Sequence, residues 1–180
     1  MAFARRMGMR IALTLILIPA LALTACKKVE EESETDAVEE MGEPIGSYDI
    51  DPESGEVRAT HTDAAGVTTT LRAGELVEAR FPEPFSVYPD AKVANTTLLD
   101  QGKGRSVTIE FTTGDTREEV VRYYREQAES AGIEPDVEVS AGATTTLAGR
   151  NVASDLGFAL QVTRVSALSE GQLTVTRGLD

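Results

Sequence analysis

The stretch SVTIEFTTGDTREEVVRYYREQAESAG, residues 106–132, changes its hydrophobic period halfway along. In the first part Val107, Ile109 and Phe111 alternate with polar residues, which is the period of a strand with one apolar face. From residue 116 to residue 131 the apolar residues recur at the spacing of a helix instead. The stretch therefore predicts a strand followed by an amphipathic helix.

Both ends of the predicted helix have recognisable signals. Asp115 is a suitable N-cap, Glu118 completes a spacing like that of a capping box, and Gly132 suits the position after the helix. At 100° per residue, one side of the helix collects Val120, Val121, Tyr124, Ala128 and Ala131. We expect this side to pack on a sheet, with Tyr124 as a core tyrosine whose hydroxyl reaches water.

Short strands flank this stretch on both sides. Before it, VRATHT (57–62) and VTTTLR (67–72) predict a hairpin, and VANTTLLD (93–100) predicts a hairpin partner for residues 106–113. Segment 81–85 has two prolines and is predicted to be a linker that pins two phenylalanine rings. After the helix, further strands are predicted at 137–140, 144–149, 158–164 and 172–177.

The order of these elements predicts an α+β fold, an antiparallel β-sheet covered by one amphipathic helix, with an N-terminal β-hairpin unit that packs on or extends the sheet. This interpretation divides the chain into four parts. They are a cleaved signal peptide (1–25), a lipidated cysteine with an acidic tether (26–46), the β-hairpin unit (47–80) and the α+β domain (81–180).

The first part has the pattern of an export signal. Arg5, Arg6 and Arg10 precede the apolar run IALTLILIPALAL, residues 11–23. Thirteen helical residues reach only about 20 Å, which is short of a hydrocarbon core of about 30 Å. Export followed by cleavage is therefore favoured over a permanent span.

Leu23-Thr24-Ala25-Cys26 resembles the lipobox of bacterial lipoproteins. The resemblance implies that Leu23, Thr24 and Ala25 are recognised by the signal peptidase, and that Cys26 carries a diacylglyceryl group with acyl chains such as palmitate. An ordinary secretory signal or an uncleaved anchor is the alternative. An exported chain with one cysteine has no intramolecular disulfide to form, which favours lipidation.

The same resemblance bears on location. Lys27 follows the cysteine, where lipoproteins retained in the inner membrane often have Asp. The resemblance therefore implies the outer membrane, facing the periplasm. Met7-Gly8-Met9 lacks the bulky apolar pair expected after a twin-arginine signal at Arg5-Arg6, which favours the general secretory route.

The charge of the chain excludes one class of partner. Removing residues 1–25 takes away three arginines and no acidic residue, so the formal charge changes from −13 to −16. Such a surface repels phosphates, and nucleic acid is not expected as a partner. Eight acidic residues and no basic ones lie in residues 29–43, which predicts a solvated tether; binding of calcium or of a basic partner is the alternative.

A second resemblance concerns the folded part. SVYPDAKV (86–93), a strand ending in Thr112-Thr113 and EEVVRYYREQAESAG (118–132) are together similar to a group of small bacterial envelope lipoproteins, with Asp90 where glycine is common. The likeness spans about residues 48–135. It implies the fold and no particular activity.

The search for chemistry finds no catalytic residue, metal site or cofactor site. His61, with Asp63 two residues away on the same face, can orient a general base, but no nucleophile is assignable beside it. Segment 49–55 resembles the start of a calcium loop, but Ser54 stands where glycine is needed and Thr60 where glutamate is needed. Gly102-x-Gly104 is too short for a phosphate loop and is interpreted as a hairpin turn.

The sequence therefore predicts a non-catalytic envelope lipoprotein that acts as an interaction module for an envelope protein partner. The alternative is a protein that binds a small ligand, a lipid or a cation, in a groove between helix and sheet lined by Tyr123 or Tyr124. An enzyme is not expected.

Overall fold

A computed structural model describes residues 46–179, which belong to one compact unit. The predicted signal peptide, its lipobox with Leu23, Thr24, Ala25 and Cys26, and the acidic segment 29–43 lie outside the described residues.

Nine strands and one helix make up the described part of the chain. They are β1 (Gly46–Ile50), β2 (Val57–Thr62), β3 (Thr68–Gly74), β4 (Lys92–Gln101), β5 (Gly104–Thr113), α1 (Arg117–Ser130), β6 (Val137–Ala141), β7 (Thr144–Asn151), β8 (Leu156–Val165) and β9 (Leu168–Arg177). All nine strands belong to one sheet in the order β1-β2-β3-β4-β5-β9-β8-β7-β6. Every neighbouring pair is antiparallel, so the prediction of an α+β fold with an antiparallel sheet is confirmed.

The chain builds this sheet from two meanders. Strands β1 to β5 succeed one another across the sheet, each antiparallel to the one before it. Helix α1 then carries the chain to the far edge, where β6 begins a second meander. This second meander runs back toward the middle, so β9 pairs with β5.

The two ends of the sheet differ in the turns that they contain. The Gly46 end contains the start of β1, the turn between β4 and β5 around Lys103, and the end of β9 at Arg177. The Lys92 end contains the start of β4 and the turn between β8 and β9. Helix α1 begins at the Lys92 end, where Arg117 Nη1 donates to the carbonyl oxygen of Gly142 over 3.0 Å.

The helix begins one residue later than the sequence predicts. Thr116, not Asp115, is the N-cap, and Glu119, not Glu118, completes the capping box. Asp115 is occupied elsewhere, because its Oδ2 accepts a hydrogen bond from the Tyr88 hydroxyl over 2.7 Å. Gly132 has a positive φ of 70°, as predicted for the residue that follows the helix.

The core lies on the side of the sheet that α1 contacts. The helix buries Val120, Val121, Tyr124 and Ala128 and contacts β7 and β8. The loop between β3 and β4 adds Phe85 and Tyr88, which pack in the same cluster as Phe111 and Phe158. Phe81, the other ring of the proline-containing linker, is partly buried against this cluster. Burial of these side chains supplies the main driving force for the fold.

Candidate functional site: the uncovered face of the sheet

The side of the sheet that faces away from α1 is called the uncovered face. Side chains alternate between the two sides of a strand, so the buried Val107, Ile109 and Phe111 on the core side place Thr108, Glu110 and Thr112 on the uncovered face. All strands of residues 46–179 lie in one sheet, and their single helix packs on the other side. No second layer of secondary structure from this part of the chain therefore covers this face.

An apolar surface occupies the β1–β4 part of the uncovered face. Tyr48, Ala59, Leu71 and Leu99 are directly opposed from strand to strand, and the next row contains Ile50, Val57 and Ala73. These seven residues, Tyr48, Ile50, Val57, Ala59, Leu71, Ala73 and Leu99, are called the apolar strip. Tyr48 is 68% exposed and Ile50 is 53% exposed, while the other five are half-buried.

The strip ends at the edge of the sheet. Strand β1 pairs only with β2, so the backbone groups along its other side have no strand partner within residues 46–179. Apolar side chains and unpaired backbone groups therefore lie next to each other on β1. A β-strand of a partner can form hydrogen bonds with these backbone groups and bury these apolar side chains.

The β5–β9 part of the same face is polar. A shallow pocket of about 380 Å³ there is lined by Ala94, Glu110, Phe111, Thr112, Gln161, Thr163, Glu170, Gly171 and Gln172. Hydroxyl pairs reinforce neighbouring strands beside it, at 2.9 Å between Thr108 and Thr174 and 2.8 Å between Thr144 and Thr163. The uncovered face thus changes from apolar to polar at β5, and it is apolar again at the opposite edge, where Val137 and Val139 of β6 are exposed.

The opposite side of β2 and β3 is charged. Arg58 and Arg72 are directly opposed in the sheet, and such a pair of like charges is unfavourable. Glu56 Oε1 lies between them and accepts from the Nε atoms of Arg58 at 2.9 Å and of Arg72 at 2.6 Å. These hydrogen bonds lower the pKa of Glu56 to about 2. The apolar strip and this charged cluster therefore lie on opposite sides of the same strands.

The candidate residues for chemistry do not come together. His61 is exposed on β2, and Asp63 accepts hydrogen bonds from the backbone of Ala65 and Val67 within the following turn. Asp51 likewise accepts from the backbone of Glu53 and Ser54, which lowers its pKa. Within residues 46–179, no group of three or more His, Cys, Asp or Glu side chains is placed to hold a metal ion.

Two tyrosines of helix α1 cluster with one tyrosine of the β3–β4 loop. Tyr88, Tyr123 and Tyr124 have ring centroids 5.0 to 6.3 Å apart. Burial, together with the hydrogen bond to Asp115, raises the pKa of Tyr88 to about 12. Tyr124 is fully buried, and its hydroxyl forms no hydrogen bond of standard geometry in the described part of the chain, although it interacts with the backbone of Tyr88. The expectation that this hydroxyl reaches water is therefore wrong.

A groove does exist between the helix and the sheet, but the tyrosines do not line it. It has a volume of about 270 Å³, and its lining residues are Arg117, Glu118, Val121, Arg122, Arg125, Glu138, Ser140 and Thr145. Arg125 and Glu138 form an ion pair of 2.6 Å across it. The groove is therefore polar, unlike the apolar pocket that usually holds a lipid.

A third concave site lies at the Gly46 end of the sheet. It has a volume of about 370 Å³ and is lined by Arg80, Phe81, Pro82, Asp100, Gly102, Lys103, Gly104, Arg105 and Arg177. This site is called the basic pocket, because four of these side chains are cationic and one is acidic.

The apolar strip is not among the predictions made from the sequence, although part of its alternating apolar pattern is present there. Val57 and Ala59 alternate with polar residues on β2, and Leu71 follows three threonines on β3. The contribution of Tyr48 and Ile50 depends on a five-residue strand that contains glycine and aspartate, which are poor strand formers.

Comparison with protein-family models, with curated proteins and with solved structures finds no match to this chain. No helix among residues 46–179 is long and apolar enough to cross a membrane.

Proposed function

We propose that this protein is a non-catalytic envelope lipoprotein located at the outer membrane and facing the periplasm. It is anchored through Cys26 after cleavage between Ala25 and Cys26, with Leu23, Thr24 and Ala25 as the recognition residues of the signal peptidase. Its folded part is an interaction module that binds an envelope protein through the apolar strip. The lipobox resemblance supports the anchor, and the exposure of the strip supports the module.

The exposure of the strip is the observation on which the proposed contact depends. Burying apolar area stabilises a complex by roughly 25 cal/mol per Å², and large aromatic side chains are enriched at the centres of interfaces. Tyr48 and Ile50 are large, apolar and mostly exposed, and they lie on adjacent rows of one face. A protein partner that covers them removes this apolar area from water.

In the proposed organisation, one side of the sheet holds the hydrophobic core and the other side binds the partner. Helix α1 and the β3–β4 loop cover the core side, and strands β1 to β4 carry the apolar strip on the other side. The tether joins the module at Gly46, next to Tyr48. The apolar strip therefore begins two residues after the point where the proposed tether joins the folded part.

Site-specific photo-crosslinking in cells tests the contact. A photoreactive phenylalanine analogue at Tyr48 is expected to capture one reproducible envelope protein. The matched control is the same analogue at Asp49, the next residue of β1, which faces the other side of the sheet. Equal capture from both positions, or capture of scattered neighbours only, would contradict the proposed contact surface.

The anchor requires a separate experiment. Cys26→Ser is expected to abolish labelling by a fatty acid probe and to release the protein from the membrane fraction. Retention in the membrane without labelling would overturn the lipobox interpretation. The two experiments are independent, because the strip can bind a partner whether or not Cys26 is acylated.

The alternative function, binding of a lipid or a cation between helix and sheet, has less support. Tyr124 is fully buried and does not line the groove, and the groove is polar. A thermal shift screen still distinguishes the two functions, since a bound ligand raises the melting temperature of the protein.

A further inference from the structure

Two pairs of arginines lie directly opposite each other in the sheet, and they differ in their counter-charge. Arg58 lies opposite Arg72, and Glu56 accepts hydrogen bonds from both. Arg105 of β5 lies opposite Arg177 of β9, and no carboxylate of residues 46–179 bridges these two. Directly opposed like charges are unfavourable in a sheet. The second pair therefore lacks the shared anion that the first pair has.

The second pair belongs to the basic pocket, which is unusual in so acidic a chain. The formal net charge is −13, yet four cationic side chains line this pocket. Arg80 and Arg105 each have one ion pair with a carboxylate, at 2.8 and 2.6 Å. Lys103 and Arg177 are exposed and form no ion pair within residues 46–179. Since close cations repel one another, the pocket favours the binding of negative charge.

The pocket is lined by the β3–β4 loop and by the ends of β4, β5 and β9. Arg105 is two residues from the buried Val107, so Arg105 and the opposed Arg177 lie on the core side of the sheet. Phe81 and Pro82 of the loop add apolar groups to the lining. The volume of about 370 Å³ falls at the lower end of the range of small-molecule pockets. The pocket therefore suits a small molecule with an anionic part and an apolar part.

We infer that the basic pocket binds the phosphate group of a small phosphate ester, with Lys103, Arg105 and Arg177 around the phosphate. A guanidinium group can donate two parallel hydrogen bonds to phosphate oxygens, and such charged hydrogen bonds are among the strong ones. The phosphate gives the Arg105–Arg177 pair the counter-charge that Glu56 gives to the other arginine pair. The organic part of the ester contacts the apolar groups of the β3–β4 loop.

A small phosphate ester is compatible with the negative charge of the whole chain. A long polyanion meets the entire acidic surface, whereas charges farther than a Debye length of about 8 Å from a phosphate in the pocket are largely screened. The turn Gly102-x-Gly104 supplies Lys103 and remains a hairpin turn, because β4 and β5 pair antiparallel on either side of it. The pocket and the apolar strip lie on opposite sides of the sheet. The inference therefore goes beyond the proposed function and does not depend on it.

Isothermal titration calorimetry tests the site on the protein purified from cells in its processed form, in a nonionic detergent. The probes are glycerol 3-phosphate, a soluble phosphate ester, and dihexanoyl phosphatidylglycerol, which presents a phosphate ester as a lipid headgroup. Heat from uptake of the lipid into micelles is subtracted by a titration without protein. We expect saturable binding of at least one probe. Tighter binding of the first probe assigns the site to a soluble ligand, and tighter binding of the second assigns it to a lipid headgroup.

Matched variants locate the binding. Lys103→Gln with Arg177→Gln removes two charges from the pocket, and Lys92→Gln with Arg122→Gln removes two exposed charges elsewhere. Loss of one charged hydrogen-bond partner weakens binding roughly tenfold or more, so the first variant is expected to bind at least about tenfold more weakly than the parent. The control variant is expected to match the parent. The inference is overturned if neither probe binds, if the first variant binds as tightly as the parent, or if the control loses as much affinity.

Thermal unfolding tests the repulsion between the two arginines directly. In chloride buffer, Arg177→Gln removes one of two opposed like charges, so this variant is expected to melt no lower than the parent. Replacing chloride by inorganic phosphate at the same ionic strength is expected to raise the melting temperature of the parent more than that of the variant, because a bound ligand stabilises the folded state. Both proteins are compared because phosphate stabilises folded proteins in general. An equal rise in the two proteins would contradict binding at Arg177.

Discussion

The side chain of Tyr124 places a hydroxyl group in the hydrophobic core. Its ring lies 6.1 Å from Phe111 and 5.1 Å from Tyr123. Its hydroxyl forms no hydrogen bond of standard geometry in the described range, and its interaction with the backbone of Tyr88 falls short of that geometry. An unsatisfied buried donor costs roughly 1–3 kcal/mol. We therefore expect Tyr124→Phe to leave the free energy of unfolding unchanged or to raise it, as measured by chemical denaturation.

Tyr88→Phe is the matched comparison for that experiment. The Tyr88 hydroxyl donates to Asp115 over 2.7 Å, and a hydrogen bond to a charged group contributes about 1.5–3 kcal/mol. This variant is expected to be less stable than the parent. If Tyr124→Phe were as destabilising as Tyr88→Phe, the hydroxyl of Tyr124 would have a partner in solution.

Glu56 makes stability depend on pH in the acid range. Its pKa of about 2 lies below the ordinary value of 4.5, because Arg58 and Arg72 donate to it. A carboxylate with a lowered pKa stabilises the fold fully above about pH 4.5, and this contribution is lost as the pH falls toward 2. Glu56→Gln is therefore expected to lower the melting temperature at pH 7, with a difference from the parent that shrinks toward pH 2.

The control for this prediction is Glu53→Gln, which changes the same charge in the preceding turn, where Glu53 forms no ion pair within residues 46–179. A Glu56→Gln difference that stays constant from pH 7 to pH 2 would contradict the role assigned to the carboxylate.

At the level of single residues, the sequence predicts which side chains are buried better than it predicts which residues they contact. The helical period places Tyr124 on the buried side, and this prediction is confirmed. The environment of its hydroxyl depends on Tyr88, which arrives from a loop whose path the local pattern does not indicate. The one-residue error at the helix cap has the same cause, since Tyr88 also engages Asp115.

The helix begins at a reciprocal contact that can be tested by itself. Glu119 N donates to Thr116 Oγ1 over 3.3 Å, and Thr116 N donates to Glu119 Oε2 over 2.9 Å. Loss of an N-cap oxygen costs about 1 kcal/mol, so Thr116→Ala is expected to reduce the free energy of unfolding by that amount. Thr116→Ser keeps the oxygen and is expected to retain most of the stability; equal losses in both variants would contradict the cap.

The pairing of β5 with β9 depends on a glycine. Gly171 lies directly opposite Phe111, and a Cβ atom at this position would collide with the Phe111 ring. Overpacking of this kind costs about 1–3 kcal/mol, so Gly171→Ala is expected to destabilise the protein in thermal unfolding. Gly114→Ala, where a Cβ would meet no atom within 4 Å, is the control and is expected to have little effect.

A double-substitution cycle identifies the cause. If the ring is responsible, adding Phe111→Leu to Gly171→Ala should cost less than the sum of the two single changes. Strict additivity would place the strain elsewhere.

At the level of elements, alternation and turn residues predict most strands to within a few residues. The segment predicted at 137–140 is Val137–Ala141 in the structure, and the segment predicted at 93–100 is Lys92–Gln101. Strand β1 was missed because Gly46 and Asp49 disfavour a strand locally, and only pairing with β2 makes it one.

The order of the strands across the whole sheet does not follow from the local sequence pattern of each strand. Alternation tells which side of a strand is buried, whereas it does not tell which strand lies beside it. The crossing through α1 places β6 at the far edge and brings β9 beside β5. Neither the uncovered face nor the apolar strip can be assembled until this order is known.

The strip leads to a prediction for the whole molecule. Tyr48 and Ile50 are 68% and 53% exposed, so replacing both by serine removes little buried area. Substitutions at exposed positions usually change stability by no more than about 0.5 kcal/mol each. We expect Tyr48→Ser with Ile50→Ser to fold normally by circular dichroism and to melt close to the parent, yet to lose the partner captured by in-cell cross-linking.

The matched control makes the same kind of change on another exposed part of the sheet. Val137→Ser with Val139→Ser alters two apolar residues on the opposite edge strand, β6, which are 42% and 56% exposed and lie on the same face. If the β1–β4 part of the face is the contact, this control keeps the partner. Loss of the partner in both variants would extend the contact across the whole uncovered face, and retention in both would remove the apolar strip from the proposed interface.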